Sequence, residues 1–143
     1  MGEGKAIFID TVGWIALVHL GDNLHRKAVQ AYRNIGNLPR VTTDAILVES
    51  CNAFSKATIR HLALALMEKV NESKSLGILE VVHVEEKLIQ EGLELFKSRM
   101  DKEWSLTDCI SFTVMKGKGI NKAMTSDHHF EQAGFEKLLE NED

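Results

Sequence analysis

Residues 6–9, Ala6-Ile7-Phe8-Ile9, are an unbroken apolar run, the pattern of a central parallel strand covered on both faces. Residues 13–20 place Trp14, Leu17 and Val18 on one side and predict a short helix, ended by the turn Gly21-Asp22-Asn23. From Leu24, apolar positions recur at Ala28, Val29, Tyr32 and Ile35, a second helix closed by Gly36-Asn37-Leu38-Pro39. Arg40-Val41-Thr42 predicts a short strand, and a helix over 44–55 follows, capped by Thr43 or Thr42. A longer helix over 59–73 carries Leu62, Ala63, Leu66, Met67 and Val70 on one face. After the Gly77 break, residues 78–82 predict a strand, and 85–100 a helix with the stripe Leu88, Ile89, Leu93, Phe96 and Met100. Residues 107–116 predict another helix, 122–125 a short strand, 127–133 a short helix ended by Gly134, and 135–139 an edge strand before an acidic tail.

Strands and helices therefore alternate along the chain. That pattern predicts an α/β/α sandwich around a mainly parallel sheet, as one domain over residues 1–143. A chain of 143 residues buries roughly two-thirds of its unfolded surface, so no covalent staple is required. Two cysteines, Cys51 and Cys109, make no disulfide framework and are expected as free thiols in a reducing cytoplasm. No apolar run approaches the ~18 residues of a membrane-spanning helix, and Met1-Gly2-Glu3-Gly4-Lys5 lacks the apolar stretch of a signal peptide. Gly2 has Ala6 where a myristoylation site has Ser or Thr. The expectation is a cytoplasmic protein that is not membrane-bound. The net charge of −4 lacks the basic balance usual in nucleic-acid binders. Clustered carboxylates that hold a metal ion would account for part of that balance, so a nucleic-acid substrate remains open.

Four carboxylates stand where the chain changes element: Asp10, Glu49, Asp108 and Asp127. Each has a simpler explanation. Asp10 suits a strand-end turn or a helix cap. Asp108 completes Ser105-Leu106-Thr107-Asp108, a capping box. Asp127 suits an N-cap, and Glu49 an exposed helical position. In an open α/β fold, however, strand ends converge on one edge of the sheet, where the order of the strands reverses. Carboxylates gathered there repel one another unless a cation lies between them, and Mg²⁺ or Mn²⁺ takes such oxygen ligands. The four acids together therefore point to metal-assisted hydrolysis at phosphate. Thr11, Thr125 and Ser126 are hydroxyls placed to orient carboxylates or water.

With Ile7-Phe8-Ile9-Asp10-Thr11, Thr42-Thr43 ahead of Glu49, Asp22 and His25 ahead of Ala28, Ser105-Leu106-Thr107-Asp108-Cys109, and Thr125-Ser126-Asp127-His128-His129-Phe130 ahead of Gly134-Phe135, the chain resembles PIN domains. It is similar to the small bacterial and archaeal members, many of them VapC-type toxins of toxin–antitoxin pairs. The resemblance implies a sheet of about five strands in the order 3-2-1-4-5 and a Mg²⁺- or Mn²⁺-dependent endoribonuclease. It implies Asp10, Glu49, Asp108 and Asp127 as the acidic set, with Thr11 and Ser126 as polar companions. It also implies RNA as substrate, a homodimer, and an antitoxin partner for toxin members. The alternative is a catalytically silent PIN-like binding or scaffold module, against which the intact acidic set argues.

Other chemistries fit less well. A haloacid-dehalogenase-like phosphatase needs a second Asp two residues after the first, where Val12 stands. A response-regulator receiver needs a phospho-acceptor Asp at the end of its third strand, where His83-Val84 stands. His128 and His129 match no standard zinc spacing and read as surface or substrate-edge histidines. His19, His25, His61 and His83 are scattered and read as caps or packed residues. Lys116, Lys118 and Lys122 form a basic turn at the far end of the Asp108 helix. Lys56, Arg60, Lys97, Arg99 and Lys102 are the better candidates for contacts to RNA phosphate.

Overall fold

The computed structural model describes residues 6–141. The reading of Met1 to Lys5 and the end of the acidic tail fall outside the described residues. Five strands appear in chain order: β1 (Ile7–Ile9), β2 (Arg40–Thr43), β3 (Leu79–Val82), β4 (Lys122–Met124) and β5 (Glu136–Lys137). Seven helices join them: α1 (Thr11–Val18), α2 (His25–Ile35), α3 (Asp44–Asn52), α4 (Arg60–Ser75), α5 (Glu86–Ser98), α6 (Leu106–Lys118) and α7 (His128–Gln132). The sheet order is β3-β2-β1-β4-β5, as expected, and every neighbouring pair is parallel.

The unbroken apolar run of β1 accounts for its central place. Phe8 pairs with Val41 on one side and Ala123 on the other, and Ile7, Phe8 and Ile9 are all buried. Parallel crossovers are right-handed, so connections running in opposite directions along the sheet cover opposite faces. Helices α1, α2, α3 and α4 touch one another in one layer; α5, α6 and α7 pack together in the other. The direction of winding reverses between β1 and β4, which opens a crevice at the carboxyl ends of those strands.

Two packing details depart from the sequence expectation. Helix α1 begins at Thr11, two residues early, because Asp10 takes the N-cap position in extended backbone. Gly13 then lies inside the helix. A Cβ there would stand 2.3 Å from the Met124 carbonyl oxygen, so the missing side chain lets α1 close onto β4. The buried side of α5 is also rotated from the predicted stripe. Leu88, Gly92 and Leu95 face the core, whereas Ile89, Phe96 and Met100 are exposed. The cause is close helix–helix contact: a Cβ on Gly92 would meet Ile110 Cγ1 at 2.6 Å, so α5 presents its smallest residue to α6.

The end of β1 is held by a buried polar relay. The Trp14 indole N–H donates to Thr42 Oγ1 at 3.1 Å, and the Thr42 hydroxyl donates to the Ile9 carbonyl at 2.8 Å. On the opposite face, the Phe112 ring meets Phe130 at 4.9 Å and Trp104 at 5.1 Å, both edge to face. These contacts fix the start of α6 and the body of α7 against the sheet. Cys109 is buried, Cys51 half-buried, and both are free thiols. No helix among the described residues is long and apolar enough to cross a membrane.

Candidate functional site

Asp10 leaves β1 at the crevice and is 6% exposed. Although it occupies an N-cap position, its side chain does not cap α1. Its Oδ2 instead accepts a hydrogen bond from the Thr125 hydroxyl at 2.9 Å, across the end of β4. Thr125 Oγ1 in turn accepts from the Asp127 backbone N–H at 3.1 Å. One buried hydroxyl therefore ties the first acid to the segment that carries the last.

Asp108 and Asp127 do cap, as their simpler readings expect. Asp108 Oδ2 accepts from the Ser105 N–H at 3.0 Å, while the Asp108 N–H donates to Ser105 Oγ at 2.9 Å. Asp127 Oδ1 accepts from the His129 N–H at 2.9 Å. Capping does not remove them from the site, because both lie close enough for their charges to act on Asp10. Burial pushes the Asp10 carboxyl up to about 7. The Thr125 hydroxyl and the Thr11 backbone N–H work against that rise, and the charges of Asp108 and Asp127 add to it.

Glu49 joins by a different route. It is exposed on α3, and its Oε1 accepts from the Thr11 hydroxyl at 2.5 Å. Thr11 thus links Glu49 to the residue beside Asp10. Ser126 is buried next to these groups, and its carbonyl accepts from the Asn141 amide at 3.5 Å. Of the hydroxyls expected to orient carboxylates, Thr125 serves Asp10 and Thr11 serves Glu49.

The sequence reading missed His129. Its Nδ1 lies 3.0 Å from Asp108 Oδ2 and 3.4 Å from Asp127 Oδ1, so the ring stands between two of the acids. The ligand atoms of Asp127, His128 and His129 all lie within 4.8 Å of one another. The available signal was the run Asp-His-His at a helix start, where a capped first turn folds neighbouring side chains over the cap. Zinc-motif spacing does not register such a run.

The remaining histidines and cations sort as follows. His25 bonds the Ala16 carbonyl at 2.8 Å, His19 packs edge to face on Phe54, and His83 pairs with Asp44 at 2.6 Å. Arg99 lies 5.1 Å over the Trp104 ring, just before the Ser105 cap, which brings this cation to the Asp108 end of α6. Lys118, at the other end of α6, pairs with Glu80. Arg60 is committed to the Ser55 carbonyl.

The site can therefore gather negative charge at one point, with hydroxyls and caps fixing the carboxylates. Asp10, Asp108 and Asp127 bring three carboxylates close enough for the charges of the last two to act on the first. The charges of Asp108 and Asp127 add to the raised proton affinity of buried Asp10, and a cation is the kind of group that would answer such charge.

No family model matches the chain. Curated relatives do. The 23S rRNA-specific endonuclease VapC20 of two Mycobacterium tuberculosis strains, CDC 1551 / Oshkosh and ATCC 25618 / H37Rv, is 30% identical over 131 residues, which cover 90% of this chain and 95% of the relative. The crystal structure of Mycobacterium tuberculosis VapC20, described as a Sarcin-Ricin loop cleaving toxin, superposes with a TM-score of 0.78 at 28% identity, over 90% of this chain and 95% of that one.

Proposed function

The chain belongs to the VapC-type PIN-domain ribonucleases, and on that premise we propose that it is a metal-dependent endoribonuclease and the toxin of a toxin–antitoxin pair. The observation that carries the metal reading is Asp10, a buried carboxylate opposed by Asp108 and Asp127. Mg²⁺ or Mn²⁺ would be held by Asp10, Asp108 and Asp127, with Glu49 completing the acidic set. When bound, the ion supplies charge neutralisation at the scissile phosphate and lowers the pKa of a coordinated water.

The protein's own groups have distinct tasks. Thr125 holds the Asp10 carboxylate in one orientation, so the ionised form is presented towards the crevice. The two caps hold Asp108 and Asp127 rigidly, which limits the rearrangement needed to receive substrate. Glu49, on the solvent side and oriented by Thr11, positions the attacking water. Water adds to phosphorus in line, and the bond to the 3′ oxygen breaks. That oxygen takes up a proton, leaving 3′-hydroxyl and 5′-phosphate ends. Lys102, three residues before the Ser105 cap, is the first candidate for a contact to a flanking phosphate, while Arg99 is paired with Asp101.

VapC20 acts on 23S rRNA, so a hairpin of the sarcin-ricin loop is the first substrate to try, beside an unselected RNA pool. Cleavage that requires Mg²⁺ or Mn²⁺ and stops with EDTA is the expected result. A preparation that neither cleaves RNA nor binds a divalent ion by calorimetry would instead favour a silent binding module. We further propose a homodimer and an antitoxin partner, as family membership suggests. Val48 and Leu64 are exposed on the touching helices α3 and α4 and support a face that a partner covers. Light scattering on the isolated protein tests the dimer.

A further inference from the structure

We propose that Asp127, His128 and His129 form a mixed carboxylate–imidazole site for a first-row transition ion, so that this chain prefers Co²⁺, Ni²⁺ or Zn²⁺ to Mg²⁺ at the α7 side of its acidic cluster. The assignment rests on the reading that a divalent ion is held in this crevice, and it adds the donor chemistry that selects the ion. Each of the three residues offers one ligand atom, and these atoms lie within 4.8 Å of one another. Ligands bound at about 2.1 Å to one ion stand roughly 3.0–3.4 Å apart, so small side-chain rotations close the set. Asp127 Oδ1 is already 3.8 Å from His128 Nδ1 and 3.4 Å from His129 Nδ1. The two imidazole rings are 4.5 Å apart between centroids.

Two further features suit a metal site. Asp108 Oδ2 stands 3.0 Å from Nδ1 of His129, the spacing of two ligands on one ion, so a second carboxylate borders the set. The platform is also rigid. Phe130, next in the chain, is fully buried against Phe8 and Phe112, and the Asp127 N–H is held by Thr125. Imidazole nitrogen favours the later first-row ions, whereas carboxylate and water suit Mg²⁺. An all-carboxylate site discriminates weakly along the series from Mg²⁺ to Ni²⁺. Two imidazoles beside a carboxylate make the affinity climb steeply.

The experiment is calorimetric titration of tag-free, chelator-treated protein with Mg²⁺, Mn²⁺, Co²⁺ and Ni²⁺, with the visible spectrum of the Co²⁺ form recorded in parallel. The wild-type protein should bind Co²⁺ at least about tenfold more tightly than Mg²⁺. The variants His128→Ala and His129→Ala, checked for fold by circular dichroism, should each lose about tenfold or more in Co²⁺ affinity, with a changed Co²⁺ spectrum. Mg²⁺ binding should change little in His128→Ala, the more exposed of the two positions. Co²⁺ binding no tighter than Mg²⁺ binding, or tight Co²⁺ binding retained by both variants, overturns the inference while leaving a Mg²⁺-dependent ribonuclease intact. Binding of no divalent ion at all overturns both.

Discussion

Asp10 and Asp44 occupy equivalent places, each at the carboxyl end of a parallel strand where a helix begins, and their electrostatics are opposite. Asp44 meets partners that answer its charge. Partial burial works against its ionised form, but His83 at 2.6 Å and the Val84 N–H at 2.9 Å outweigh that and hold its pKa below the ordinary carboxylate value of 3.8. Asp10 is buried, receives one hydroxyl, and faces two more acids, so its carboxyl rises to about 7. Asp44 is satisfied within the chain, whereas Asp10 is buried beside two like charges. Position in the fold does not set the electrostatics of a strand-end acid. The neighbours across the sheet do.

The comparison can be broken most decisively by activity. Asp10→Asn is expected to lower the rate of RNA cleavage by on the order of a thousandfold, whereas Asp44→Asn should leave it within a fewfold of wild type. Equal rates for Asp10→Asn and wild type would place the chemistry elsewhere. Next in size is Gly13→Ala. The added carbon meets the Met124 carbonyl and should cost about 3 kcal/mol in urea unfolding, because backbone on both sides must shift. Full stability in that variant would show that α1 does not need its close approach to β4.

Stability against pH sharpens the contrast. The Asp10 carboxyl is raised to about 7 in the folded chain from its ordinary value of 3.8 in the unfolded one. Below 3.8 both states hold the proton, and the group has no effect. Between the two values the unfolded chain gives up its proton while the folded chain keeps it, so stability falls as pH rises, and the penalty is complete above 7. Asp10→Asn should therefore gain up to about 4 kcal/mol at pH 8 and much less at pH 4, read from denaturant midpoints. Mg²⁺ should raise the melting temperature of the wild type at pH 8 but not that of the variant.

The smallest expected effect belongs to Asp44. The pKa of His83 is raised by its hydrogen bond to Asp44 and by that charge, so its share of stability is present below 6.5 and fades as pH climbs through the raised value. The share from Asp44 is present above 3.8 and fades as pH falls through its lowered value. His83→Ala should accordingly show a slight loss of melting temperature near pH 5.5 that disappears by pH 9. A loss that persists at pH 9 would mean that His83 acts by packing.

Much of the architecture was legible because buried parallel strands and amphipathic helices leave different periods in the chain. The run at residues 6–9 identified the central strand, and the capping box at Ser105 placed the start of α6 within a residue. What escaped was set by contacts between distant segments. Nothing local marks Gly13 or Gly92 as the points where helices close on β4 and α6. The α5 stripe was misjudged because Gly92 contributes no hydrophobicity yet lies at the centre of the contact. Asp10, Asp108 and Asp127 stand at element ends in the structure, whereas Glu49 lies inside α3. The run Asp-His-His marks His129 only as a helix-start residue; its contact with Asp108 spans twenty-one residues and is not written locally.

The hydrogen bond from Thr125 to Asp10 joins residues 115 apart. A ribosome making this chain therefore releases Asp10, Glu49 and Asp108 well before the hydroxyl that orients the first of them. No amino-terminal fragment ending before β4 holds the assembled crevice, and premature termination yields pieces without it. Synthesis itself delays the site: the cell meets the complete arrangement only when the final strands have emerged and docked beside β1.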